Sequence, residues 1–206
     1  MMSRAASLIA FARKEHGSAA VEFGIIALVF TTMLMASIDF ARLGWELNQA
    51  KTAARIGARV AVVNPMVADW MAGDNFNSAA GVAGNGSPVP IADVPVITCV
   101  GTSATSATCV ASDGNASHGA ANNAAFATIF SKMRAFDGEI QPANVSIEYR
   151  HVGLGIVGDP YGHAVEPLVT VTLRNLPFRL GSLAPFGGGS FTLPSMTSSY
   201  TGEDLG

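Results

Sequence analysis

The feature that most constrains this sequence is an uncharged, apolar stretch near its start. Residues 23–38 contain no Asp, Glu, Lys or Arg. If residues 21–38 are helical, a rise of about 1.5 Å per residue gives a length of roughly 27 Å. That length nearly matches the hydrocarbon core of a bilayer, which is about 30 Å thick. The sequence therefore predicts a transmembrane helix over residues 21–38.

One carboxylate, Glu22, lies inside the start of this predicted helix. An acidic side chain costs up to about 3 kcal/mol at the centre of a membrane, so a carboxylate there indicates a function. Near a helix N-terminus it gains roughly 0.3 to 1 kcal/mol from the unpaired N–H groups and the helix dipole. A cut after Gly17 would create a closer partner, the ammonium of Ser18. In a bundle of identical helices, that ammonium could instead meet the Glu22 of a neighbouring subunit and fix the axial register.

These residues resemble a known family. Gly17, followed by Glu22 and Phe23 as the fifth and sixth residues after it, is similar to the class III signal of type IV pilins. The runs IDFAR at residues 38–42 and AARIGAR at residues 53–59 resemble the TadE-like minor pilins of tight-adherence (Tad) secretion systems. The resemblance covers the N-terminal third of the chain.

The resemblance implies an assembly function and no enzymatic activity. A prepilin peptidase would cut between Gly17 and Ser18, and Glu22 and Phe23 would guide assembly of a type IVc (Tad/Flp) pilus for adherence. The implied partners are other minor pilins, the major pilin and the inner-membrane assembly platform. The implied location is the bacterial inner membrane, in a single pass, with possible incorporation into a surface pilus. The large head favours a place at the tip or in initiation.

The charge flanking the apolar stretch predicts its orientation. The leader carries a net charge of +2 from Arg4, Arg13 and Lys14 against Glu15. The positive-inside rule keeps this end in the cytoplasm. We therefore expect a cytoplasmic leader at residues 1–17, a helix at 18–63 and a periplasmic head at 64–206.

Two other interpretations of the N-terminus remain. An ordinary secretory signal would need small residues before a cut after the apolar run, and residues 33–37 offer no good A-x-A pattern. An uncleaved signal anchor fits the hydropathy equally well but leaves Gly17 and Glu22 unexplained. Under that alternative, the protein is a membrane-anchored extracytoplasmic adhesin or ligand-binding module.

Composition limits the partners of the chain. Hydrophobic residues make up 49% of the 206 residues and charged residues only 13%, which favours burial of surface in a membrane or an assembly. From Ser18 onwards, nine Lys and Arg face fourteen Asp and Glu, a net charge of −5. This balance argues against nucleic acid as a partner.

Beyond the membrane, the predicted helix continues to about residue 63 as an amphipathic segment. Residues 39–63 contain no proline and are rich in good helix formers. Small and apolar residues form a stripe along one face: Leu43, Leu47, Ala50, Ala54, Gly57 and Ala61. On another face, Lys51, Arg55 and Arg59 recur every four residues. These three cations form either a solvated face or a docking surface for acidic groups.

Residues 73–118 are dominated by small and polar residues and predict a long irregular excursion. Within it, β-prone runs around Cys99 and Cys109 flank residues 101–107 and predict a hairpin closed by a disulfide. Outside the cytoplasm such a pair is readily oxidised. No histidine lies at a spacing suited to a zinc site.

The rest of the head predicts an α+β fold, with an antiparallel sheet against the N-terminal helix as in pilins. Residues 120–136 have helical periodicity. Residues 144–152 and 168–174 alternate as half-buried strands, with a loop following at 178–189. Residues 190–200 predict one edge strand, because Pro194 cannot donate to a central ladder.

Two patterns in the head resemble catalytic or cofactor motifs without meeting their requirements. Residues 153–158 match G-x-G-x-x-G, but no acid occurs between Pro167 and Gly202 to hold a ribose. The four histidines are dispersed, and the chain contains neither G-x-S-x-G nor H-E-x-x-H. The sequence therefore predicts no catalytic site, no cofactor and no metal.

Overall fold

The computed structural model describes residues 16–78, 84–159 and 163–202. The predicted leader, residues 1–17, lies outside these ranges except for its last two residues. The chain divides into two compact units. We call Met1–Gly44 with Arg179–Ser190 the anchor unit, and Trp45–Phe178 with Phe191–Gly206 the head unit.

Helix α1, His16–Val63, is 48 residues long and contributes to both units. It ends where the chain reaches Asn64 and Pro65, since proline cannot continue a helix. Its part in the head unit has one buried face of small residues, which are at most 2% exposed: Ala50, Ala53, Ala54, Ala58, Ala61 and Val62. The predicted stripe is therefore a packing surface.

The head unit contains a five-stranded antiparallel sheet with strand order β2-β1-β3-β4-β7. Its strands are β1 Ile97–Ser103, β2 Ser106–Ala111, β3 Val145–His151, β4 Pro167–Leu173 and β7 Met196–Thr201. Alternate residues of β4 are buried, as the sequence pattern predicts for a sheet with one face on a core. The α+β class, with a long N-terminal helix followed by a small antiparallel sheet, is confirmed.

Helix α3, Asn123–Phe136, packs between the sheet and α1. The Asn122 side chain caps it by accepting a hydrogen bond from the N–H of Ala125. The ring of Phe126 lies directly on Gly101 of β1, and the side chain of Met133 lies on Gly57 of α1. A Cβ at Gly57 would be 2.8 Å from Cγ of Met133, so a larger residue here would require the Met133 side chain to move. A short helix, α2, spans Asp69–Gly73.

A buried hydrogen bond joins the segment that follows α1 to the sheet. The backbone N–H of Val67 donates to the hydroxyl of Tyr149 on β3 at 3.0 Å, and both residues are 0% exposed. Burial raises the pKa of the Tyr149 hydroxyl, because the phenolate would be far from water. The bond therefore stays in place at neutral pH.

The predicted single strand at residues 190–200 is wrong. The structure divides this segment at Pro194 into β6, Ser190–Thr192, and β7. Strand β6 pairs with β5, Pro177–Arg179, in a separate two-stranded sheet, so the predicted loop at 178–189 begins as a strand. Pro194 does not fit within a ladder because it has no N–H. The edge position was predicted correctly for β7.

The segment at residues 73–118 is more ordered than its composition suggests. Its second half forms the β1–β2 hairpin, flanked by the 3-10 helices Ile91–Asp93 and Ala116–Gly119. Residues 79–83 lie outside the described ranges. The hairpin was predicted from its β-prone runs. The short 3-10 helices were not.

Candidate functional site in the N-terminal helix

The predicted processing site lies at the first turn of α1. The helix begins at His16, and both Gly17 and Ser18 are exposed. Among the described residues, a Cβ at Gly17 would have no neighbour within 4 Å, so this part of the fold does not require glycine there. A requirement for Gly17 would have to come from a partner that approaches the backbone closely.

Glu22 and Phe23 follow on the same exposed helix, and Phe23 is 72% exposed. Ser18 and Glu22 are four residues apart, which places their side chains on one face of α1. An ammonium on Ser18 would be the α-amino group at the N-terminus of the shortened helix, one helical turn before Glu22. The geometry is compatible with the predicted pairing of these two charges.

Within the described residues, the apolar stretch of α1 has no protein core around it. Its most apolar window has a mean hydropathy of 2.0 and is 0% buried. Among the described residues, α1 is the one helix long and apolar enough to cross a membrane. Large side chains are exposed all around it: Val21, Phe23, Ile25, Ile26, Leu28, Val29, Phe30, Met33, Leu34 and Ile38. A helix that is apolar on every face belongs in a membrane or among other apolar helices.

The first charged residue after this stretch, Asp39, is buried within the anchor unit at 1% exposure. One carboxylate oxygen accepts a hydrogen bond from the backbone N–H of Ser182 at 3.0 Å, and the other accepts one from Leu183 at 3.0 Å. The guanidinium of Arg42 lies 3.4 Å from the same carboxylate. Asp39 therefore holds residues 182 and 183 against α1, and hydrogen bonds to a charged acceptor are the stronger kind.

Arg42 also covers this loop, because its guanidinium lies where a Cβ at Gly181 would be. Asp39 and Arg42 both belong to the run quoted above for its family resemblance, yet the sequence alone assigned them no structural role. The available signal was a carboxylate directly after an uncharged run, one helical turn before an arginine. Its partners lie 143 and 144 residues later, which no local pattern can indicate.

The predicted cationic face lies in the head unit and is exposed. Lys51, Arg55 and Arg59 all point away from the buried stripe of α1. Arg59 also lines a surface cavity of about 420 Å³ together with Val62 and Tyr200. This exposure fits a solvated face and a docking surface equally well, so the docking role stays a prediction.

The predicted disulfide is present between Cys99 and Cys109, which face each other across β1 and β2. Both residues are buried, at 0% and 5% exposure. The bridge closes a short hairpin and lies inside the head unit. Its place in the core indicates a structural role.

The end of the 73–118 segment is fixed by a cluster of rings and polar groups. The ring of His118 stacks on Trp70 with centroids 3.8 Å apart, and its Nδ1 lies 2.6 Å from the carboxylate of Asp113. A hydrogen bond from the backbone N–H of Asn115 lowers the pKa of Asp113, and His118 lowers it further. These contacts join α2 to the second 3-10 helix and explain why the segment is ordered.

His151 and His163 bind backbone carbonyls of separate segments. His151 Nε2 donates to Val89 at 2.9 Å, and His163 Nδ1 donates to Ala72 at 3.0 Å. Among the described residues, no three Asp, Glu, His or Cys side chains form a group that could hold a metal ion. The glycine motif at residues 153–158 forms part of the turn between antiparallel strands β3 and β4. A dinucleotide site would instead join a strand to a helix.

Comparison with protein families identifies the N-terminal segment. Residues 17–59 match the family described as TadE-like protein. Over these residues the chain resembles TadE-like proteins. The match begins at Gly17 and includes Glu22, Asp39, Arg42 and the cationic face. Searches of curated proteins and of solved structures found no match.

Proposed function

We propose that this chain is a minor pilin or pseudopilin, processed by a prepilin peptidase and used in assembly or initiation of a type IVc (Tad/Flp) pilus. The TadE-like match over residues 17–59 carries the proposal. It begins at the glycine where the sequence predicts cleavage. The TadE-like family is associated with the Tad pilus and is structural rather than enzymatic.

Physical reasons support cleavage at this point. Gly17 and Ser18 are exposed, and nothing in the described structure surrounds Gly17. Cutting there leaves the α-ammonium of Ser18 at the helix N-terminus, one turn before Glu22. A buried carboxylate is costly in hydrocarbon, so pairing with that ammonium, in the same chain or in a neighbour, lowers the cost of packing the helices.

The cationic face formed by Lys51, Arg55 and Arg59 is the proposed contact with other pilus components. Three like charges on one exposed face attract an acidic surface, and this attraction would set the orientation of the incoming subunit. The proposed partners are the major pilin, other minor pilins and the inner-membrane assembly platform. The proposed location is the inner membrane, with the head periplasmic.

Mass analysis of the N-terminus tests the proposal. The chain is expressed with a prepilin peptidase, recovered from membranes and measured intact. We expect the wild type to begin at Ser18 and Gly17→Glu to keep its leader. Gly44→Glu is the matched control, because Gly44 is also an exposed helical glycine with no neighbour within 4 Å. It should be processed normally.

A second variant separates processing from assembly. Arg55→Glu reverses the central charge of the cationic face and should be cleaved like the wild type while failing to enter pili. If the wild type keeps its leader beside an active peptidase, the pilin proposal is wrong. The uncleaved anchor carrying an adhesin or ligand-binding module would then replace it.

A further inference from the structure

The segment Arg179–Ser190, which we call the clamp loop, is a compact loop held on α1 directly after the apolar stretch. The N–H of Leu180 donates to Gly189 at 3.1 Å, and the N–H of Gly188 donates to Leu183 at 2.9 Å. These bonds close the loop on itself. Asp39 then binds it through two backbone N–H groups, as described above.

This attachment fixes the depth of the clamp loop relative to the apolar stretch. Asp39 is the first charged residue after residues 23–38. If that stretch crosses a hydrocarbon core of about 30 Å, Asp39 lies at the boundary between the hydrocarbon core and the headgroups. The headgroup region on each side of the core is about 5 to 8 Å thick. Residues 182 and 183 are hydrogen-bonded to Asp39, so the loop lies at the level of the headgroups.

The chemistry of the clamp loop suits that level. Ala184 and Pro185 are exposed, while Leu180 and Leu183 are half-buried. Two cations accompany these apolar groups. Arg179 is exposed, and the side chain of Arg42 is 47% exposed while it covers Gly181. Apolar groups beside arginines are typical of segments that lie in a membrane interface, where the cations contact lipid phosphates.

Phe40 strengthens the argument, because it is 77% exposed one residue after Asp39. An aromatic ring at the end of a membrane-spanning helix favours the headgroup level. It lies on α1 beside the residues that hold the clamp loop. The helix and the loop thus both carry exposed apolar and cationic groups close to Asp39 in the chain or bound to it.

We propose that the clamp loop lies in the headgroup region of the bilayer and that its arginines bind lipid headgroup phosphates. Asp39 is the positioning residue, since it holds the loop on α1. The loop would thereby fix the height of α1 in the membrane. The proposal rests on the membrane placement of α1, and it does not depend on cleavage at Gly17.

Spin labels on the full chain in lipid vesicles test this placement. Cys99 and Cys109 are bonded to each other, so one introduced cysteine can be labelled selectively. Ala184→Cys reports on the clamp loop, and Leu28→Cys, at a 60% exposed site, reports on the helix. Their depths are read from collisions with oxygen and with a water-soluble nickel chelate, and calibrated with spin-labelled lipids.

We expect the label at residue 184 at the headgroup–acyl boundary and the label at residue 28 in hydrocarbon. Adding Asp39→Asn should move the first label towards water by about 5 Å or more, which is the depth of interfacial burial. Asp69→Asn is the matched control, because it removes an exposed carboxylate of the head unit and should leave the depth unchanged. Arg179→Gln should reduce the change in the depth of the label at residue 184 that anionic phosphatidylglycerol in the vesicles produces.

The proposal is overturned if the label at residue 184 has full aqueous exposure while the label at residue 28 lies in hydrocarbon. It is also overturned if Asp39→Asn leaves the label at residue 184 in place. If the label at residue 28 is itself in water, the membrane placement of α1 is wrong and this proposal fails with it. None of these outcomes depends on N-terminal processing, so failure here is distinguishable from failure of the pilin proposal.

Discussion

The hydrogen bond between Val67 and Tyr149 allows a sharp prediction about stability. Tyr149→Phe removes one oxygen and leaves the ring in place. The N–H of Val67 then loses its hydrogen-bond acceptor, and Val67 is 0% exposed, so water cannot replace it. Leaving a buried donor unsatisfied costs about 1–3 kcal/mol. We expect the free energy of unfolding to fall by about 2 kcal/mol.

For a chain of this size, 1 kcal/mol corresponds to about 2–4 °C in melting temperature. We therefore expect Tyr149→Phe to lower the Tm by about 4–8 °C, measured by near-UV circular dichroism on the full chain in lipid nanodiscs. Tyr200→Phe is the matched control, because Tyr200 lies on edge strand β7 and is 39% exposed. Its effect should stay within about 0.5 kcal/mol.

The difference in stability between the wild type and Tyr149→Phe should also depend on pH. Burial raises the pKa of Tyr149 above its usual value of 10.0, so the unfolded chain ionises first as the pH rises. The stability due to the neutral hydroxyl is complete below pH 10 and is lost above it. The difference between wild type and Tyr149→Phe should therefore narrow above about pH 10. Equal melting of Tyr149→Phe and Tyr200→Phe at pH 7 would refute the reasoning.

Two further predictions concern the head unit. Cys99 and Cys109 are 10 residues apart, and a loop of that length corresponds to about 3 kcal/mol of stabilisation by a disulfide. Reductant should lower the Tm of the wild type and leave the Tm of the Cys99→Ser, Cys109→Ser double variant unchanged. An equal drop in the Tm of both proteins would contradict this. Burial raises the pKa of Asp137 at the C-terminus of α3, so its charged form is penalised in the folded state at neutral pH. Asp137→Asn should raise the free energy of unfolding by about 0.3–1 kcal/mol at pH 7. Well below pH 3.8 the aspartic acid of the wild type is neutral, like the asparagine of the variant, so chemical denaturation should show no difference in stability between them there. A gain of the same size at both pH values would contradict the electrostatic cause.

Much of the local structure could be predicted because its signals are short-range. The end of α1 follows from Asn64 and Pro65, and the core face of α3 follows from helical spacing. Strands β3 and β4 follow from strict alternation. The strand predicted at residues 190–200 was wrong, because Pro194 separates two strands that pair in different sheets.

The pairing of the strands could not be predicted in the same way. Strand β1 pairs with β3 although helix α3 lies between them in the chain, and β7 pairs with β4 across β5 and β6. Such pairings depend on how the apolar faces of α3 and the sheet fit together. Alternation within one strand indicates which face is buried and carries no information about its neighbour.

The sequence by itself determined the membrane-length apolar stretch, the position of Gly17 and Glu22, the helix and strand periods and the two cysteines. All of these depend on residues close together in the chain. Only the tertiary structure decided that Asp39 holds Ser182 and Leu183 and that Tyr149 accepts from Val67. Those bonds join residues 143, 144 and 82 positions apart. Their formation depends on the packing of the whole chain, because a donor and an acceptor so far apart meet only after the elements between them have folded.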